Sequence, residues 1–295
     1  MGRIGLTYHW PMPRRRETRP FSDKSRGIRI QKALAEAGID SRRHCEQLID
    51  ERRVSVNGTI IDSLPAWVDP ASDRIEVDGH PIRKRKAEQA DTHYYVMLNK
   101  PTNVVSTNSD PYERMRAIDL VTLPGKPRLF CVGRLDAEST GLLLLTNDGD
   151  LANHLTHPRY EVHKTYEVVV KGSLDAAGVA ALQRGIVLHD RRRKTAERTE
   201  PVRLKLIKRD RDRTHLLMEM REGRNRQIRR MMAALDHPVR HLKRVSLGPL
   251  RLSGVALGEW RMLRAAEVSA LRKAAGVAKP VKPDRGAARR AREAR

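Results

Sequence analysis

The sequence predicts an α+β protein: a small module of two helices and a short hairpin sheet over residues 28–86, then a larger domain over 94–272 that mixes strands and helices. Three observations predict it. Apolar residues recur at helical spacing over 30–49, short alternating runs bounded by turn dipeptides follow over 54–79, and further strand-like runs lie near Tyr95, Leu142 and Val168. With 39% hydrophobic residues among 295, the chain can bury a substantial core in one large or two ordinary domains.

The first helix begins at Ile30, where Ile30, Leu34 and Ala37 share a face, and Gly38 stops it. A second helix, capped by Asp40 or Ser41, brings Cys45, Leu48 and Ile49 to one side. Val54-Ser-Val56, Asn57-Gly58, Ile60-Ile61 and Ile75-Glu-Val77-Asp-Gly79 read as short strands joined by tight turns. The charge run Arg83-Lys-Arg-Lys86, followed by a loss of periodicity, places a linker over 87–93.

In the larger domain, Tyr94-Tyr-Val-Met-Leu-Asn-Lys100-Pro101 reads as a strand ending in a proline-bearing turn. Residues 130–151 contain an apolar strand, a tight "GRLD" segment, Gly141, and a second strand leading through Thr146 and Asn147 into a helix. Asp136 sits between two apolar runs, where a carboxylate is a turn or cap residue unless it is paired or functional. The run "HKTYEVVV" alternates, with Tyr166, Val168 and Val170 on one face, as ordinary core packing requires. In "RQIRRMMAAL", Ile228, Met231, Met232 and Leu235 share a helical face. Arg229, about 100° from Ile228, lies at the margin of that face and can point inward while Arg226 and Arg230 point out.

The formal net charge is +23, so the expected large partner is a polyanion. Residues 1–27 and 276–295 each carry +5 without apolar periodicity, and 1–27 and 273–295 are expected to be disordered basic tails. Residues 28–86 carry only +1, whereas 201–245 carry +9, with fourteen basic and five acidic residues. No stretch approaches the ~18 apolar residues of a membrane span, the longest run being Leu142 to Leu145. The N-terminus has prolines and arginines where a secretory signal needs an apolar core. Cys45 and Cys131 have no CxxC partner, so neither a disulfide framework nor a metal site is expected, and the compartment reads as reducing and cytoplasmic.

The segment "SRRHCEQLIDERRVSVNG" resembles the small αL RNA-binding domain found in a ribosomal protein and in several RNA-modifying enzymes. On its own, the arginine cluster of this segment reads equally well as solvated helix surface. The resemblance implies that Ser41, Arg42 and Arg43 open the second helix and face RNA. A helix N-terminus with paired arginines offers phosphate both backbone donors and charge.

"VGRLDAESTGLLLLTNDGDL" resembles the central motif of bacterial ribosomal-RNA pseudouridine synthases of the 16S and 23S class that carry an N-terminal αL domain. "YVMLNKPTNVVST" and "REGRNRQIRRMMAAL" resemble the motifs before and after it, and the whole resemblance spans roughly 28–270. One departure is Asn103, where the family has Gly; Asn tolerates left-handed backbone, so the turn is expected to survive.

The resemblance implies a catalytic domain with a mixed, mainly antiparallel sheet covered by helices. It also implies an isomerase that cleaves the uridine glycosidic bond, turns the base over and rejoins it through carbon 5. Such a reaction needs a carboxylate as nucleophile or acid/base and a pocket for the extruded base, with no metal or small-molecule cofactor. Asp136 matches the family's essential aspartate, Tyr166 its base-stacking tyrosine, and Arg229 the basic residue set against the carboxylate, with Arg134 as runner-up. A guanidinium there would keep a buried carboxylate ionised.

Arg224, Arg226, Arg230, Lys243 and Arg244 are expected to line the groove to Asp136 and to make binding steeply salt-dependent. The stretch "LKRVSLGPLRLSGVALGEWRML" resembles the branch that modifies large-subunit RNA, so 23S is preferred to 16S or tRNA. Nothing demands a partner chain, and a monomer is expected. Two rivals remain: a non-catalytic RNA-binding or ribosome-assembly protein, and an RNA methyltransferase, for which the glycine-rich cofactor turn is missing.

Overall fold

A computed structural model describes residues 21–82, 92–190 and 195–277. The chain divides into two units between residues 90 and 91. The charge run 83–86 and most of both tails lie outside the described residues.

The first unit starts earlier than the charge distribution suggests. Phe21 packs on its core, and a single turn over Lys24–Arg26 is capped by Asp23, whose carboxylate accepts from the Ser25 N–H at 2.8 Å. Arg26 then pairs with the buried Asp73 at 2.9 Å, so residues 21–27 are part of the fold and do not belong to a tail.

β1 (Ile28–Arg29) leads into α1 (Ile30–Glu36), and α2 (Arg42–Asp50) follows. Of the two capping candidates, Ser41 does the capping, accepting from the His44 N–H at 3.1 Å. Because α1 ends at Glu36, its buried face is Ile30, Ala33 and Leu34, with Ala37 only half-buried.

β2 (Val54–Val56) and β3 (Thr59–Ile60) form a hairpin, and Asn57 and Gly58 both have positive φ, as a two-residue type I′ turn requires. β4 (Trp67–Val68) pairs with β1. β5 (Ile75–Val77) and β6 (His80–Pro81) form a second hairpin over Asp78-Gly79, and the sheet runs β3-β2-β5-β6.

The second unit is built on a nine-stranded sheet. Its strands, with the intervening helices, are β7 (Tyr95–Lys100), β8 (Phe130–Val132), β9 (Thr140–Thr146), α3 (Gly149–Thr156) and β10 (Lys164–Lys171). After α4 (Ala176–Arg184), a separate hairpin of β11 (Val187–Asp190) and β12 (Thr195–Arg198) intervenes. The sheet resumes with β13 (Arg203–Arg209) and β14 (Arg213–Met220), then α5 (Gln227–Ala233), β15 (Val239–Leu247), β16 (Leu250–Arg251) and β17 (Trp260–Met262), and α6 (Ala265–Ala274) closes the unit.

The order is β13-β14-β10-β15-β9-β7-β17, with β16 on β15 and β8 on β9. Every pairing is antiparallel except β9 with β15. This is the mixed, mainly antiparallel sheet expected.

Gly141 makes the parallel joint possible. Its φ is 103°, and a Cβ there would lie 2.3 Å from the carbonyl oxygen of Arg244. Any larger residue would force the two strands apart.

The central strands are apolar throughout because both their faces are covered. Tyr95, Met97, Leu142 and Leu144 face α3 and α6, while Val96, Leu98, Leu143 and Leu145 face the segment 104–135. α4 and α5 cover one face of β10 and β14. Tyr166 packs against this last core and against that of the 104–135 segment, and so marks their junction.

The folded unit also passes the expected end at 272. α6 continues to Ala274, Ala275 is buried and Val277 packs on the core. Within it, Arg272 pairs with Asp148 at 2.6 Å, and the Tyr95 hydroxyl donates to the same carboxylate at 2.8 Å. The other Asp148 oxygen caps α3, accepting from the Leu151 N–H at 2.9 Å. The last helix is thereby bolted to the middle of the chain.

Candidate active site

Asp136 lies in the irregular turn between β8 and β9, and the segment after β7 holds that turn from both sides. The Asn103 N–H and the Lys100 ammonium both donate to the carbonyl of Ala137, at 2.8 and 3.3 Å. The Ser106 hydroxyl donates to the Leu135 carbonyl at 3.0 Å and accepts from the Leu135 N–H at 3.2 Å. The residues on either side of Asp136 are therefore fixed. Asn103 does adopt left-handed backbone, with φ 63°.

Lys100 was not singled out in the sequence, although an apolar strand ending in Lys-Pro was visible. Its ammonium is fully buried and donates also to the carbonyls of Pro101 and Val104, at 2.7 and 2.8 Å. Burial pulls it down to about 8, against the opposing influence of the Asp136 charge.

Two arginines reach the Asp136 carboxylate. Arg229 Nε lies 3.7 Å and Arg226 Nη1 3.6 Å from Oδ2. Arg229 is where the helical spacing placed it: Ile228, Met231 and Met232 bury the face of α5, and the Arg229 side chain is only 13% exposed. The outward orientation expected of Arg226 is corrected. Arg226 precedes the first turn of α5 with φ 47°, so helical spacing does not govern its direction and its guanidinium turns into the site.

Both arginines also meet Glu138, Arg226 at 3.3 Å and Arg229 at 3.4 Å. The Arg226 hydrogen bond and the Arg229 charge hold the Glu138 carboxyl below the usual range. Arg229 donates to the Ser139 hydroxyl at 3.3 Å. Glu138 and Ser139 were not singled out either, lying unremarked within the central motif.

Asp136 is 29% exposed, less enclosed than expected, and opens on a cleft of about 390 Å³ lined also by Arg134, Tyr166, Met220, Asn225 and Leu242. Tyr166 and Asp136 thus share one cavity. A bulge in β15 sits beside Tyr166, whose neighbour across the strand pair is Arg244. Arg134 lines the cleft but is exposed and makes no ion pair with Asp136 among the described residues. Residues 134–136 are not strand, so the spacing that would have aligned the two side chains does not apply.

The remaining basic residues separate by location. Arg224 is committed to Glu222 and Glu197, at 2.9 and 2.8 Å, and Arg230 donates to the His189 carbonyl at 3.0 Å. Arg244 is a correction: it is buried, its Nε donates to the Leu142 carbonyl at 2.7 Å, and it braces the β9–β15 joint beneath the surface. Lys243 lies opposite Glu167 of β10 in the strand register, on the face away from Tyr166, and so does not line the groove to Asp136. In the first unit Ser41, Arg42 and Arg43 are exposed at the start of α2.

Among the described residues no group of His, Cys, Asp or Glu is arranged to hold a metal ion, and no helix is long and apolar enough to cross a membrane.

Comparison with known proteins identifies the family. Residues 94–234 match the RNA pseudouridylate synthase family and residues 28–64 the S4 domain, the αL module of the sequence. The chain is 39% identical to ribosomal large subunit pseudouridine synthase B of Bacillus subtilis, over 83% of this chain and 95% of that protein. It is 37% identical to an RNA pseudouridine synthase of Aquifex aeolicus, over 85% and 96%. A crystal structure of a pseudouridylate synthase superimposes with a TM-score of 0.59 at 29% identity, covering 83% of this chain and all of the other. An S4 module, the three ordered motifs and near-full-length relatives agree: the chain belongs to the RNA pseudouridine synthases, isomerases that act on RNA.

Proposed function

We propose that this synthase converts a uridine of 23S ribosomal RNA to pseudouridine, with Asp136 as the reacting carboxylate. One observation carries the assignment of the carboxylate: Asp136 is held from both sides by backbone contacts, faces Arg226 and Arg229 at 3.6 and 3.7 Å, and shares its cleft with Tyr166. Large-subunit RNA is favoured because relatives from Bacillus subtilis and Pseudomonas aeruginosa bear the name ribosomal large subunit pseudouridine synthase B.

The chemistry is balanced without a co-reactant. The bond from the ribose carbon 1′ to base nitrogen 1 breaks, a bond to carbon 5 forms, and the proton lost from carbon 5 is replaced by one gained at nitrogen 1. In this reading Asp136 acts in the cleavage step. Arg226 and Arg229 orient it from 3.6 and 3.7 Å, without a short contact that would occupy its oxygens. Tyr166 offers a flat face for the extruded uracil, an interaction worth ~1–3 kcal/mol per base. Arg42 and Arg43 at the start of α2, and Arg134 and Arg226 at the cleft, are assigned to the RNA backbone.

The test compares wild type with Asp136→Asn on ribosomal RNA lacking the modification, mapping pseudouridine by chemical adduct formation and primer extension. Conversion of one 23S uridine by the wild type alone is expected. Identical uridine patterns with both proteins would reject the assignment, and conversion only in 16S RNA or tRNA would reject the substrate.

A further inference from the structure

The loop 107–116 carries an exposed aromatic ring that the catalytic cleft does not use. The loop is tightly tied. Asp110 accepts from the Arg114 N–H at 2.9 Å and pairs with its guanidinium at 2.5 Å. Arg116 donates to the Asn108 carbonyl at 2.8 Å and pairs with Asp119 at 2.6 Å. Its base is anchored next to the site: the Asn108 amide donates to the Leu129 carbonyl at 2.7 Å, and Ser106 holds Leu135, the residue before Asp136.

This ordered loop nevertheless leaves Tyr112 77% and Met115 57% exposed. The chain has only eleven aromatic residues, so a ring spent on solvent stands out. The Arg114 guanidinium lies 5.1 Å from the centre of the Tyr112 ring. The loop is also electrically neutral, Asp110 and Glu113 balancing Arg114 and Arg116, in a protein whose charge is +23. A neutral surface built on a ring and a planar cation suits a base better than a phosphate, because every base presents a π-face and carries no charge.

We propose that Tyr112, with Arg114 beside it, stacks an unpaired base of the substrate RNA outside the catalytic cleft, and that residues 107–116 thereby select the RNA segment presented to Asp136. The proposal rests on the reading of ribosomal RNA as substrate and adds a second base-binding point to it.

The test measures binding of in-vitro-transcribed 23S RNA by the full chain across a salt series, with Tyr112→Ala and Tyr112→Phe as variants. Tyr112→Ala is expected to lose affinity roughly 5- to 150-fold, the range for removing one stacked base. The slope of log affinity against log salt should not change, since no phosphate contact is lost. Tyr112→Phe keeps the ring and should bind within about 2-fold of wild type. Ultraviolet cross-linking should join the wild-type loop to one nucleotide. Wild-type affinity in Tyr112→Ala, an equal loss in Tyr112→Phe, or a shallower salt slope would overturn the proposal, the first result pointing to a protein partner for this loop. Turnover of the same transcript is read separately. Absence of conversion by the wild type rejects the 23S substrate while the binding comparison still decides the role of Tyr112.

Discussion

Two of the aspartate–arginine sites in the second unit are built in opposite ways. At the first, Asp148 and Arg272 are 5% and 9% exposed and meet at 2.6 Å, with Tyr95 and the Leu151 N–H completing the shell around the carboxylate. At the second, Asp136 is 29% exposed and faces two guanidiniums at 3.6 and 3.7 Å, both shared with Glu138. Arg229 Nε there, like Arg272 Nε at the first site, is buried without a hydrogen-bond partner among the described residues. A carboxylate whose hydrogen-bonding capacity is used up joins parts of the fold together. One held by charge at a longer distance keeps its oxygens available to a substrate.

The sharpest way to break this contrast is to neutralise each aspartate in turn. Asp136→Asn should lower turnover by at least about 10³-fold while leaving the melting temperature nearly unchanged, as measured by single-turnover assay and thermal unfolding. Asp148→Asn should do the reverse, costing about 3–5 kcal/mol because Arg272 is left buried and uncompensated, while the folded fraction still turns over. Burial alone would raise the Asp148 carboxyl, but hydrogen bonds from Leu151 and Tyr95 and the charges of His93 and Arg272 outweigh it and hold it below the ordinary value. A depressed carboxylate contributes stability above its unfolded value, about 3.9, and loses that contribution as pH falls through the folded value. The acid limb of the wild-type stability curve should therefore flatten in Asp148→Asn.

Smaller effects refine the comparison at the Asp136 end. Arg229→Lys keeps the charge but loses the planar fork, and kcat should fall about 10- to 100-fold with KM little changed. Lys100→Met leaves the carbonyls of Pro101, Val104 and Ala137 without their donor and should cost about 1–3 kcal/mol. Burial depresses Lys100 to about 8, so the unfolded chain binds more protons between there and the ordinary lysine value near about 10.4. Wild-type stability should gain from this group as pH rises across that window, and the variant should lack the gain. Glu138→Gln removes one negative charge from the mouth of the cleft, and RNA should bind a few-fold more tightly with a slightly steeper salt dependence.

What the sequence disclosed follows from the range over which each cue acts. The convergence of Asp136, Tyr166 and Arg229 was legible because the first two sit in short motifs and the third at the margin of a helical face whose period survives in the structure. The hairpins at Asn57-Gly58 and Asp78-Gly79 were legible because a turn with positive φ admits few residues. Arg226 was misread because it lies one residue before the helix whose periodicity was used to orient it.

The charge cluster over 201–245 was read as one surface, but net charge carries no information about strand parity. Across the strand pair, Lys243 neighbours Glu167 on one face and Arg244 neighbours Tyr166 on the other, and the latter is buried. The Asp148–Arg272 pair spans 124 positions, and no local pattern announces a contact of that length.

The parallel joint between β9 and β15 has a consequence in time. Asp136 and the strand that follows it are synthesised some ninety residues before Arg229, the residue that faces the carboxylate and binds Ser139. At ~5–20 residues per second of translation, about 5–20 s separate the two. The S4 module, whose sheet is complete by Pro81, has by then left the ribosome. The first unit can thus fold before the cleft exists, and Asp136 meets the guanidinium of Arg229 only when the last third of the protein arrives.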